Sequence, residues 1–132
     1  MRVFVDTSAL YSYVDRDDDQ HERVLRAWDG IEQADVLQVT SNYVLTEASA
    51  IIQGRLGMTA VQDFLAGIVP VLGIEWVDRE THDAAVAALL SANRRDLSLV
   101  DCVSFEVMRR LGIRRAFTLD EHFREQGFEV VP

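Results

Sequence analysis

Lysine is absent from the 132-residue chain, and all 13 basic residues are arginines. That absence excludes chemistry that requires lysine: the phosphate grip of a P-loop, Schiff-base formation, and the lysine-dependent phosphoacceptor site of response-regulator receivers. Cysteine is nearly absent too. The single Cys102 cannot close an internal disulfide, which favours a reducing cytoplasm; beside Asp101 it reads as a small buried hydrophobe. Two prolines and seven glycines leave no room for a linker or a low-complexity tail. No apolar run approaches the ~20 residues that a membrane helix needs, and no repeat of solenoid period is present. MRVFVD meets a charge at residue 6 and does not read as a signal peptide. A hydrophobic fraction of 48% with mean hydropathy +0.01 points to a soluble globular chain, one domain over residues 1–132.

Positive charge is in deficit as well. Thirteen basic against 22 acidic residues give a net charge of −9, which does not favour nucleic-acid binding by bulk charge. The sign misleads, however, if the acids gather around bound cations.

What is present alternates between strand and helix. RVFVD (2–6) is a short buried strand ending in a carboxylate, and Thr7 or Ser8 can cap a helix running to about Val14. The acidic run Asp15–Asp19 reads as a solvated loop before a helix over about 20–32. VLQVT (36–40) is a second strand, followed by a helix from Ser41 or Asn42 to the Gly54 and Gly57 punctuation. Residues 59–69 form a further helix that Pro70 stops. VLGIEWV (71–77) is a third strand and 79–93 a helix; LVDCVSFEVMRRLG is the next helix, with Gly112 as its C-cap. RRAFTLD (114–120) is a fourth strand, EHFREQ one helical turn, and FEVV (128–131) a fifth strand. The order predicts an α/β fold: a three-layer α/β/α sandwich around a mostly parallel sheet of four to five strands. Ligands of such sheets bind beyond the carboxyl ends of the strands, near a switch in strand order. RVFVD and AFTLD both end there in aspartate.

Four carboxylates stand out. Asp6 and Asp120 each have a plain alternative reading, as a capping or first-turn residue. Glu47 sits mid-helix, about 60° from the centre of the apolar stripe Val44, Ala48 and Ile51 at roughly 100° per residue. Asp101 falls about 100° from the middle of the stripe Val100, Val103, Val107 and Leu111. Both therefore border a packed face. Ser98, three residues before Asp101, can cap that helix through its hydroxyl while Asp101 projects from the first turn. Two unit charges about 4 Å apart repel by roughly 4 kcal/mol at an effective dielectric near 20. Four gathered acids would raise their own pKa values or splay apart unless a cation held them. All-oxygen ligands favour Mg2+ or Mn2+ over zinc and suit phosphoryl transfer with a metal-activated water.

With VDTSAL, LTEAS, LSLVDCVSFEVMRRLGI and FTLDEHF in that order, the sequence resembles the PIN-domain ribonucleases, most closely the VapC toxins of toxin–antitoxin pairs. The correspondence covers essentially the whole chain. It implies that Asp6, Glu47, Asp101 and Asp120 are the metal-binding, catalytic acids and that Thr7 or Ser8 helps position a ligand or an acid. It also implies Mg2+- or Mn2+-dependent endonucleolytic cleavage of RNA, a homodimer, and a protein antitoxin that inserts a segment over the active site.

Among the remaining residues, Arg94 and Arg95 are expected to help hold the RNA backbone, against the plainer reading of solvated helix-end charges. His21, His82 and His122 are scattered. His122, two residues past Asp120, reads as a surface or packing residue more than as a partner of that acid. The apolar surplus in Tyr43–Val69, including Ile51, Ile52, Leu56, Met58, Phe64 and Leu65, is core first and in part a dimer or antitoxin face. A haloacid-dehalogenase-type phosphatase would also begin with a strand-end aspartate, but Ser8 stands where its second aspartate belongs and its lysine is missing. A non-catalytic PIN scaffold would be expected to lack an acid, and none is lacking. A PIN nuclease of RNA processing outside toxin–antitoxin biology has the same four acids.

Overall fold

The computed structural model describes residues 1–132. Five parallel strands run β1 (Arg2–Val5), β2 (Leu37–Ser41), β3 (Gly73–Glu75), β4 (Arg115–Phe117) and β5 (Glu129–Val131), in the spatial order β3-β2-β1-β4-β5. Val3, Phe4 and Val5 are all fully buried. Successive strand residues point to opposite faces, so consecutive burial means that both faces of β1 are covered. Ala116, Phe117 and Thr118 repeat the pattern at β4. This is the three-layer α/β/α arrangement expected from the alternation of elements.

The helices are α1 (Thr7–Val14), α2 (His21–Gln33), α3 (Asn42–Leu56), α4 (Met58–Asp63), α5 (Arg79–Ala92), α6 (Leu99–Leu111) and the single turn α7 (His122–Glu125). No helix is long and apolar enough to cross a membrane. Strand order reverses at β1: the chain moves from β1 through β2 to β3 on one side, then returns to β4 and β5 on the other. The crevice at the carboxyl ends of β1 and β4 is therefore the topological switch point.

Local signals explain most boundaries. Ser41 caps α3 by accepting the Val44 N–H, and Gly57, at φ 89°, breaks the chain between α3 and α4. Gly112 closes α6 in the left-handed region, as its position after Leu111 predicts. Three expectations fail in detail. The helix over 59–69 is α-helical only to Asp63; it widens into a π turn over Phe64–Ile68 and tightens into a 3-10 turn over Val69–Val71 containing Pro70. Proline has no N–H for the α ladder but fits the first turn of a new short helix, so it redirects the chain instead of simply stopping it. The third strand is consequently three residues, not seven. The fourth, expected over 114–120, spans only Arg115–Phe117, so Asp120 lies three residues beyond its end.

The apolar stripes also shift. On α3 the buried residues are Val44, Ala48 and Ile52, with Ile51 turned toward the crevice. On α6, Cys102 through Phe105, Val107 and Met108 are buried. This helix packs against α5, α3 and β2, so more than half its circumference is covered. Cys102 is the buried hydrophobe the sequence suggests.

Candidate active site

Asp6 follows β1 directly, and its backbone N–H still donates to Phe117 O at 3.0 Å, extending the ladder to β4. It occupies the N-cap position of α1, but its carboxylate makes no capping bond. Oδ2 instead accepts from the hydroxyls of Ser8 and Thr118, each at 2.9 Å. Those hydroxyls are themselves fixed: Ser8 Oγ accepts the Leu119 N–H at 2.9 Å, and Thr118 Oγ1 accepts the Asp120 N–H at 3.0 Å. Asp6 is 4% exposed, and burial drives its pKa up to about 6 despite the two hydroxyl donors, with the Asp101 charge adding to the rise.

Asp101 enters from the first turn of α6. Ser98 Oγ accepts the Asp101 N–H and Asp101 Oδ2 accepts the Ser98 N–H, each at 3.0 Å, a complete capping box. One carboxylate oxygen thus holds the helix start and the other remains available. Burial raises the Asp101 pKa, the capping bond from Ser98 opposes that, and the Asp120 charge adds to it. Asp120 lies on the irregular segment after β4. Its Oδ1 accepts the His122 N–H at 2.9 Å. Ligand-type atoms of Asp101, Asp120 and His122 all lie within 4.8 Å of one another.

Glu47 reaches the same place from α3. The four acids line one cavity of about 330 Å³, with Thr7, Ser8, Tyr11, Ser12, Asp18, Ile51, Arg55 and Leu119 completing its wall. The residues suit a hard divalent cation. The donors are carboxylate oxygens with one nearby imidazole, and Thr7 Oγ1 is buried in the wall without a hydrogen-bond partner. Carboxylates crowded beyond their own electrostatic comfort are stabilised by exactly the charge they lack.

Of the residues read from the sequence as supporting, Ser8 orients Asp6, Ser98 orients Asp101 through the capping box, and Thr7 has a hydroxyl without a partner. Arg94 is engaged elsewhere: Nε and Nη2 grip Asp96 at 3.1 and 2.9 Å, and Nη1 reaches Glu125 at 2.9 Å. Arg95 is exposed with no side-chain bond. The arginine in the cavity wall is Arg55, whose guanidinium lies 5.1 Å over the Tyr11 ring. The acidic run is less solvated than expected. Asp18 accepts from Ser12 at 2.8 Å and joins the wall, while Tyr11 donates to Asp15 at 2.7 Å and lowers its pKa.

Thr118, Arg55, Asp18 and His122 are the residues that sequence reasoning passed over or undervalued. Thr118 had a signal, a hydroxyl two residues before an acid at a strand end. His122 is the larger correction. It is only partly exposed, with Nε2 3.1 Å from Asp96 Oδ2 and Nδ1 2.8 Å from Asp120 Oδ1. The second contact has ion-pair distance but not the alignment of a hydrogen bond, and Nδ1 is buried without a directed partner. The bond to Asp96 raises the His122 pKa, opposed by desolvation and aided by Asp120. His21, against Ser12 O, and His82, against Tyr43, are as scattered as expected.

The PIN domain family model matches residues 3–129. The chain is 33% identical to the 23S rRNA-specific endonuclease VapC20 of Mycobacterium tuberculosis over 132 residues, 98% of each protein. The crystal structure of Mycobacterium tuberculosis VapC20, described as a sarcin-ricin loop cleaving toxin, matches with a TM-score of 0.86 at 32% identity, covering 98% of this chain and 99% of that one. FitAcB from Neisseria gonorrhoeae matches with a TM-score of 0.72 at 15% identity over 100% of this chain and 97% of that one, a likeness of fold. With its family model spanning nearly the whole chain and four acids converging at the switch point of the sheet, this chain belongs to the PIN-domain family.

Proposed function

We propose that this chain is a divalent-metal-dependent endoribonuclease and the toxin of a toxin–antitoxin pair, acting in the cytoplasm on RNA to arrest translation. The observation that carries the reading is the convergence of Asp6, Glu47, Asp101 and Asp120, from four separate elements, on one cavity. Mg2+ or Mn2+ is the cation the oxygen donors suit. Bound there, such an ion neutralises charge on a phosphate and lowers the pKa of a water nucleophile.

The chain's own residues do the rest. Ser8 and Thr118 hold Asp6 in one rotamer, so no ordering cost arises when the site fills. The N-terminus of α6 places its positive dipole end at Asp101 and at whatever anion approaches it. Arg55, in the cavity wall, is the arginine best placed to meet an RNA phosphate; Arg95 is exposed, and Arg94 ties the 93–98 loop to α7. Ribosomal RNA is the first substrate class to try, because the relative alike over nearly all of both chains is described as an rRNA endonuclease. Leu56, Met58 and Leu65 are exposed along the end of α3, α4 and the π turn, a surface suited to a homodimer or to the antitoxin.

Purified protein incubated with RNA should cleave it in Mg2+ or Mn2+ and not in excess chelator. Cleavage undiminished by chelator, or by Asp6→Asn, would overturn the mechanism. Light scattering on the wild type and on Leu65→Asp checks the homodimer, which the charge should dissociate if that face forms it.

A further inference from the structure

His122 occupies an unusual position for a surface histidine. Its Nε2 is 3.1 Å from Asp96 Oδ2, and Asp96 is held in turn by two nitrogens of Arg94 at 3.1 and 2.9 Å. Arg94 is tied by its third nitrogen to Glu125 on the same helical turn as His122. The imidazole therefore has one end fixed by a carboxylate that is itself clamped. Beneath it, Phe123 is fully buried, 5.0 Å edge-on from Phe105, so the turn carrying the ring is anchored in the core.

The other end of the ring faces the acid cluster. Nδ1 is buried, lacks a directed hydrogen bond, and lies 2.8 Å from Asp120 Oδ1 in the group that includes Asp101. Thr7 Oγ1, a second buried polar atom without a partner, lines the cavity that holds those two acids. Metal-ligating histidines characteristically donate one ring N–H to a carboxylate and present the other nitrogen to the metal. In an octahedral site with bonds of about 2.1 Å, adjacent ligand atoms are roughly 3 Å apart, the spacing of Nδ1 and Asp120 Oδ1.

We propose that His122 Nδ1 is a direct nitrogen ligand of the divalent cation beside Asp101 and Asp120, oriented by the Arg94–Asp96 pair. The inference rests on the metal-dependent reading above and adds to its all-oxygen donor set. An imidazole ligand shifts preference toward Mn2+ over Mg2+, because nitrogen donors suit transition-metal ions better than Mg2+. Asp96 is a positioning residue in this scheme: it touches neither cation nor substrate and acts through the ring.

Mn2+ alone, titrated into the full chain, provides the test. Pulsed electron paramagnetic resonance of the Mn2+-loaded wild type should show coupling to a directly bound 14N, and His122→Ala should lose it. His122→Ala and Asp96→Ala should each weaken Mn2+ binding about 10-fold or more by calorimetry. Asp96→Asn, which still accepts the Nε2 proton, should recover most of that loss, whereas a merely structural role would alter the melting temperature and leave Mn2+ affinity unchanged. Mn2+ binding without nitrogen coupling overturns the ligand assignment and returns His122 to an imidazole–carboxylate pair. A wild type that binds no Mn2+ at all overturns the metal reading beneath it as well. Asp96 lies in an exposed loop, so its variants report even if His122→Ala fails to fold.

Discussion

Asp6 and Asp120 follow neighbouring parallel strands at the same edge of the sheet, yet their surroundings differ in kind. Asp6 is buried, its oxygen bound by two hydroxyls that are themselves pinned to backbone. Asp120 is partly exposed on an irregular segment; it accepts the His122 backbone N–H and lies beside the His122 ring, which leads out to Asp96 and Arg94 at the surface. One acid is oriented by neutral donors in a dry environment, the other by charges near water. The first arrangement is rigid and electrostatically unfavourable without a counter-charge; the second is adjustable and sensitive to its partners.

The comparison breaks most completely at its rigid side. Asp6→Asn keeps the acceptor oxygen for Ser8 and Thr118 but removes the charge. RNA cleavage should fall by two orders of magnitude or more, roughly the effect of deleting a metal-site carboxylate, with circular dichroism unchanged. Asp101→Asn should be similarly inactive, because the capping oxygen survives while the charge facing the cavity does not.

Thr118→Val comes next. It strips a donor from Asp6 and the acceptor of the Asp120 N–H, and should destabilise the protein by about 2 kcal/mol in denaturant titration. It should also lower kcat, whereas a substitution on the Asp120 side such as Asp96→Asn should barely change stability.

The pH dependence sharpens the contrast further. The Asp6 pKa in the metal-free fold is about 6, above the ordinary value of 3.8, so the folded state binds its proton more tightly than the unfolded state does. Its contribution favours the fold below pH about 4, declines as pH rises from 4 to 6, and above 6 has lost roughly 3 kcal/mol. Metal-free melting temperatures should therefore fall across that window, Asp6→Asn should flatten the decline, and added Mn2+ should restore stability at pH 7.5. The smallest effect belongs to the arginines. Arg55→Ala should raise KM for RNA several-fold with a weaker salt dependence, and Arg94→Ala should leave that salt dependence unchanged because its charge is already paired.

The legible part of the site was the set of four acids and their elements. Asp6 and Asp120 announced themselves by ending β-branched, aromatic runs, and Asp101 by its spacing from Ser98. What escaped were partners distant along the chain. Ser8 and Thr118 meet across 110 residues, and His122 finds Asp96 across 26. Asp120 two residues earlier was the one local mark on His122, and it gave no sign of Asp96, whereas His21 binds only a backbone carbonyl. Arg94 shows the same limit from the other side: in sequence it is a free cation near a helix start, and in the fold it is a clamp.

Backbone preferences are local, so hydrophobic period, capping hydroxyls and glycine positions were enough to determine the order of strands and helices though not every strand's length, the helix starts at Ser41 and Ser98, the stop at Gly112, and the placement of Asp6 and Asp101 beside helix starts. Strand order is not local. It was the tertiary structure that put β4 beside β1 and thereby brought Asp120 to Asp6, closed the cavity with Asp18 and Arg55, and turned an exposed-looking histidine toward two carboxylates. Side-chain hydrogen bonds and charge pairs form between whatever groups the packed layers bring within about 3 Å, and that proximity is a property of the assembled core, not of any short stretch of chain.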